Sequence, residues 1–326
     1  MRRFTAFIIG MVMLSTLAWA GDKQDGGQTG SFMNLATDAR TLSMGRAGVA
    51  DPQSGVFWNP ASTVFITQKK LMVMYASPFP DTTYQIITYQ YPFGRWAAGC
   101  GILHQEIQDI LSRDSNNVII GNFNSSNDTF LFNAGYLLIP SFSAGIGFKR
   151  CYYNNKAAMG LDLGCLFKPT NNMSFGVNLQ NFIQPSFGDD GYGYTERIPI
   201  NIKIGFDGRF SKELEMMLDK IGMGGRILRE IRLTLDIDKN SNRAAKIHIG
   251  SEFVPYALYS ALKFRLGYDQ GFGPTAGLGL RFGVTNLDYA WLGHENESMH
   301  RMSLALNFGQ KEEDDDDDEE KPLPKV

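Results

Sequence analysis

Few side chains in this sequence stand at spacings that would support catalysis or metal binding. Asp236, Asp238 and Asn240 imitate the opening of a calcium loop, but Ser241 stands where such a loop needs glycine and Ile247 where it needs a bidentate glutamate. The stretch reads better as a hairpin turn. His294-Glu295-Asn296-Glu297 lacks the second histidine of a zinc helix, and Gly277-Leu278-Gly279 falls in a strand-like run with no helix behind it. With four His and with Cys100, Cys151 and Cys165 at spacings that suit neither a metal nor a disulfide framework, the expectation is no enzyme, no metal and no cofactor.

The polar side chains that do recur in a pattern are charged and occupy alternate positions. Arg232, Asp236, Lys246, His248, Glu252, Lys263, Arg265 and Arg281 share one parity across consecutive strand-like segments, so all should point to one side of a sheet. Two chemistries fit such a wall: a polar or carboxylate-binding conduit, or mutually paired charges that fill and rigidify an interior.

The elements that would position them are strands. Ile231, Leu233, Leu235 and Ile237 alternate with Arg232, Thr234, Asp236 and Asp238, and Ile198, Ile200, Ile202, Ile204 and Phe206 alternate with Pro199, Asn201, Lys203 and Gly205. Leu262, Phe264, Leu266 and Tyr268, and then Met302, Leu304, Leu306 and Phe308, repeat the pattern. A helix would not sort its faces with period two. Segments of about ten residues suit tilted transmembrane strands. They fall near 69–77, 82–91, 95–105, 128–138, 142–152, 157–167, 173–183, 198–209, 229–238, 244–253, 259–268, 275–282, 284–292 and 300–308.

The fold class expected is therefore all-β: a closed, transmembrane antiparallel barrel of about fourteen strands. An even count would leave both barrel ends in the periplasm, with short turns there and longer loops, 106–127 and 184–197, outside. The connection from Ser211 to Leu228 is the exception, since Leu214, Met217, Leu218 and Ile221 suggest a short amphipathic helix. Tyr91, Phe93, Trp96, Phe167, Phe253, Tyr256, Tyr289 and Trp291 lie near strand ends, as interfacial aromatics do.

The ends of the chain carry their own signals. Arg2 and Arg3, an apolar run and Ala18-Trp19-Ala20 read as a secretory signal peptide over 1–20. At the other end the run Glu312 to Glu320 supplies nine of 34 acidic residues, so 310–326 reads as a solvated acidic tail. Removing that run leaves 25 acidic residues, and setting aside Arg2, Arg3, Lys311, Lys321 and Lys325 leaves 26 basic ones of 31. A body this close to neutral argues against a nucleic-acid partner.

Between signal and barrel, residues 21–66 do not alternate. They carry Asp38-Ala39-Arg40, then Met44-Gly45-Arg46-Ala47-Gly48, then Trp58-Asn59-Pro60-Ala61. In that order and spacing the motifs resemble the amino-terminal segment of the PorV/PorQ family, whose members are similar to the FadL long-chain fatty-acid transporters. Asp288-Tyr289-Ala290 and His300-Arg301-Met302-Ser303-Leu304 resemble the family's closing strands.

The resemblance implies a fourteen-strand barrel over 67–309 with 21–66 folded inward as a plug or hatch, in a bacterial outer membrane. Asp38, Arg40, Gly45, Gly48, Trp58, Asn59 and Pro60 would then be hatch residues, with Asn59-Pro60-Ala61 making a tight turn before the first strand. It also implies as partners outer-membrane lipid together with a hydrophobic small-molecule ligand or a secreted protein cargo of a type IX-like system. A structural envelope scaffold without transport is the alternative.

Overall fold

The computed structural model describes residues 30, 32–33, 38–79, 81–153, 156–189, 195–211, 228–256, 261–293 and 298–309. The expected signal peptide, the acidic tail from residue 310 and the amphipathic helix expected over 212–227 lie outside the described residues.

Sixteen strands follow a short helical segment: β1 Lys69–Phe79, β2 Thr82–Phe93, β3 Trp96–Arg113, β4 Ile119–Ile139, β5 Phe142–Tyr153, β6 Lys156–Thr170, β7 Met173–Ile183, β8 Ser186–Asp189, β9 Thr195–Arg197, β10 Asn201–Phe210, β11 Leu228–Asn240, β12 Lys246–Pro255, β13 Leu262–Asp269, β14 Gly273–Phe282, β15 Thr285–Gly293 and β16 Ser298–Phe308. All but β8 and β9 form one closed antiparallel barrel, so the wall has fourteen strands. Closure comes from β16 pairing with β1, Lys69 opposite Phe308 and Ala76 opposite Arg301.

Alternation sets the two faces of this wall. On β10, Asn201, Lys203 and Asp207 are buried while Ile202 and Ile204 are exposed; on β2, Thr88 and Gln90 are buried while Ile87 and Tyr89 are exposed. A soluble protein sorts its residues the other way, so the exposed apolar belt marks a surface built for hydrocarbon. Call the end where β1 begins and β16 finishes the lower end. Gly94-Arg95, Pro140-Ser141, Asn171-Asn172 and Gly283-Val284 turn there in two residues each. Tyr91, Phe93, Trp96, Phe167 and Tyr256 stand exposed near it, with the Lys69 ammonium 4.9 Å from the Tyr91 ring centre.

Two expected loops are partly strand. The 106–127 stretch is not an irregular loop: β3 runs to Arg113 and β4 starts at Ile119, so a ribbon rises past the barrel, paired from Ile110 opposite Phe123 to Arg113 opposite Ile119. The stretch 184–197 carries the small β8–β9 sheet, Ser186 opposite Arg197.

The inside-out sorting carries a test. Ile204→Lys, on the outer face of β10, should destabilise the lipid-embedded barrel by about 2–4 kcal/mol if it sits near the bilayer midplane. A denaturant titration in vesicles reads this, and no loss relative to the parent would count against a lipid-facing outer surface.

Candidate functional site

The lumen is occupied by residues 38–66. Asp38 caps α1 (Ala39–Ser43), its carboxylate accepting from the Thr41 amide at 2.6 Å. The chain then turns through Gly45 and Arg46, both at positive φ. Gly45 has to be glycine for a second reason: a Cβ there would strike the backbone of Ile249 and Tyr268 in the wall. At Gly48 a Cβ would crowd the Trp58 ring at 3.1 Å.

Asn59 does not make the simple turn expected of its motif. It caps a 3-10 helix, Pro60–Phe65, accepting from the Ala61 amide at 3.0 Å. Its amide nitrogen donates both to Val49 O and to Cys165 O of β6, each at 3.0 Å, so one side chain ties two parts of the hatch to the wall. Pro60 occupies the first helical position, where a missing N–H costs nothing.

The wall is cut to receive this segment by glycines at inward positions. Gly145 lies directly opposite Gly135 and opposite Gly164, Gly176 opposite Gly205, and Gly250 opposite Gly267. A Cβ at Gly145 would strike the Pro60–Ala61 backbone, one at Gly176 Val49, one at Gly250 or Gly267 Met44, and one at Gly277 Ser43. These glycines were visible in the sequence at inward parity, but their role depends on a path of the hatch that parity does not specify.

Charges complete the seat. Asp51 receives Arg40 of its own segment and Arg232 of β11, each at 2.5 Å, and Arg232 also meets Asp207 at 2.7 Å. Glu252 receives Arg265 at 2.7 Å, Arg40 at 3.6 Å and Lys263 at 3.8 Å, while Arg265 reaches on to Asp288 at 2.7 Å. Arg40, Arg232, Arg265 and Lys263 thus balance Asp51, Asp207, Glu252 and Asp288.

A second group joins Arg46 to Asp269 at 2.5 Å and His248 to Asp269 and Asp238 at 3.5 and 3.3 Å. Asp236 accepts from the Gly48 and Val49 amides at 2.7 and 2.9 Å, taking two hatch donors that have no strand to join. Lys246 stands half-buried opposite Asp238 at the upper end of β12, and Arg281 is exposed at the lower rim of β14, so neither belongs to these groups. Asp51, Asp207, Asp269, Asp288 and Arg46 are partners that the sequence reading did not single out.

Above the hatch a cavity of about 70 Å³ is bounded by Phe57, Trp58, Leu103 and Leu131 on one side and by Lys149, Asn181 and Asn201 on the other. That is well short of the roughly 300–1,000 Å³ of a ligand pocket. The adjoining wall is irregular: β6 and β7 slip register between Leu161 and Leu163 beside Asn181 at positive φ. Lys149 bonds both the Asn181 amide oxygen and Asp162 at 2.8 Å, a polar staple across this break. Among the described residues no cluster of three or more His, Cys, Asp or Glu is placed to hold a metal ion.

No protein-family profile and no curated sequence matches the chain. Its fold is nevertheless shared with solved outer-membrane barrels. The toluene transporter TodX of P. putida superposes with a TM-score of 0.51 at 12% identity, over 84% of this chain and 99% of that one. The CymD monoaromatic hydrocarbon channel gives 0.55 at 11%, over 84% and 98%, and a Pseudomonas aeruginosa FadL homologue 0.54 at 11%, over the same shares. The fold is a FadL-like barrel of fourteen strands.

Two outcomes follow for the seat. Arg232→Ala strands Asp51 and Asp207 in a dry interior and should cost about 3–5 kcal/mol in a denaturant titration, whereas an effect below about 1 kcal/mol, as for an exposed pair, would refute the buried network. Burial alone would raise the pKa of Asp51, but Arg232 and Arg40 outweigh it and hold the carboxyl well below the usual carboxylate range. With the folded value depressed, the contribution of Asp51 is full above its unfolded value of about 4 and fades only as pH falls toward the folded value. Trp58 fluorescence, read with the other three tryptophans replaced, should therefore be flat from about pH 8 to 5. Asp51→Asn should shift it across that whole range.

Proposed function

We propose that this protein resides in a bacterial outer membrane, reached through a signal peptide at 1–20, and passes small hydrophobic molecules inward past a hatch that yields. The observation that carries the reading is the seat itself: a plug whose backbone lies against glycines and whose charges close on the wall blocks a lumen that would otherwise be wide enough to conduct. A barrel that served only as a scaffold would have no need of an insert held by reversible contacts. The shared fold with a toluene transporter and a monoaromatic hydrocarbon channel supports the same substrate class.

In this reading Asp38, Gly45, Gly48, Trp58, Asn59 and Pro60 shape the hatch, and Arg40 with Arg232, Asp236, His248, Glu252 and Arg265 latches it. The small cavity implies that ligand passage requires movement of the hatch or of Phe57 and Trp58. Cells making the protein should take up toluene faster than cells with an empty vector, with no gain for a sugar of similar size. Equal entry of both solutes would describe an open pore, and no gain for either would remove the transport reading.

A second reading, contact with a secreted protein in the manner of the PorV/PorQ family, draws on the ribbon of β3 and β4. Leu111, Val118, Ile119, Ile120 and Phe123 are all more than half exposed there, an unusual display for a surface turn. Replacing 110–123 by a tight turn should then abolish copurification of exported proteins while leaving toluene uptake intact.

A further inference from the structure

The lower mouth of the barrel is basic. Lys70, Lys168, Arg209 and Arg281 occupy inward positions of β1, β6, β10 and β14, in register with buried Met72, Leu166, Asp207 and Gly279 on the same strands. Glu230 of β11 is the acidic residue facing them among the described residues of this end, since Glu252, higher on β12, is taken up with Arg40, Arg265 and Lys263. Two of the four reach the underside of the hatch: Lys70 Nζ donates to Gln53 O at 3.0 Å, and Lys168 Nζ stands 5.6 Å from the Phe65 ring centre. Arg209 and Arg232 both lie within Coulombic range of Lys168. Cations gathered this closely attract a polyanion.

Such a polyanion is tethered at the same rim. Phe308 ends β16 opposite Lys69, and the nine acidic residues Glu312 to Glu320 begin four positions later. Fourteen strands about 4.8 Å apart, tilted by about 40°, make a ring roughly 28 Å across. Twelve extended residues span about 40 Å, enough to cross the mouth from β16 to Lys168 and Arg209 on the far side. Tethering at this length gives an effective concentration on the order of millimolar.

We propose that residues 312–320 dock in the lower mouth of their own barrel, against Lys70, Lys168, Arg209 and Arg281, and cover the underside of the hatch. The inference rests on the barrel and its charges, not on transport, so either can fail alone.

Zero-length carbodiimide coupling of the full chain in nanodiscs, followed by peptide mass spectrometry, tests it. The expected result is links from the 312–320 carboxylates to Lys70 and Lys168 within one molecule, falling roughly tenfold in 1 M salt, where the screening length is about 3 Å. The same loss is expected on replacing Asp314 to Asp318 by Asn, which leaves the barrel untouched, and in an Arg209→Glu/Arg281→Glu variant that still shows heat-modifiable mobility. Links confined to Lys311, Lys321 and Lys325, links between molecules, or links to Lys156 and Lys239 at the upper end would overturn it. So would phosphatidylglycerol bound at the mouth equally well with the tail present or removed.

Discussion

A backbone amide or carbonyl left unpaired in hydrocarbon costs several kcal/mol, and the rest of this structure follows from avoiding that cost. It forbids an edge, so β16 has to find β1. It fixes side-chain parity around a closed ring, so that Ile202 and Ile204 face outward and Lys203 and Asp207 inward on the same strand. It leaves an interior too wide for fourteen strands of side chains to fill alone, and it is this interior that the hatch enters.

Once inside, the hatch meets the same demand. It is not a strand of the wall, so its own amides need acceptors, and Asp236 supplies them to Gly48 and Val49 as Ser143 and Ser174 hydroxyls donate to Ala61 O and Ala50 O. Glycines at inward wall positions let backbone approach backbone, and the balanced charges around Asp51 and Glu252 neutralise what burial would otherwise penalise. A plug held mainly by polar contacts can leave at modest cost, because each contact can be exchanged for water or for another partner. A plug held by a continuous apolar core could not.

The strands were legible because period two survives wherever one face meets lipid, from β1 to β16. The ribbon beyond the barrel was not. The run from Gly121 to Asn127 stands in the open on both faces, so no face is selected for apolar residues and alternation disappears although pairing continues. Inward parity was enough to single out Arg232, Glu252 and Arg265 as neighbours on adjacent strands. It could not foresee that Arg232 would reach Asp51, because that partner arrives from 181 residues earlier in the sequence through the lumen. For the same reason Asn59 read as a turn residue, whereas its side chain bridges the hatch and β6.

The central claim is that residues 38–66 rest in the lumen as a bonded insert. Amide hydrogen exchange in lipid nanodiscs measures it most directly at Gly48 and Val49, whose N–H groups meet the Asp236 carboxylate. Protection approaching that of the central residues of β11 is the outcome this account requires. Exchange at the rate of an unstructured peptide would mean that the segment does not occupy its seat, and the latch, the glycine track and the plugged channel would all go with it.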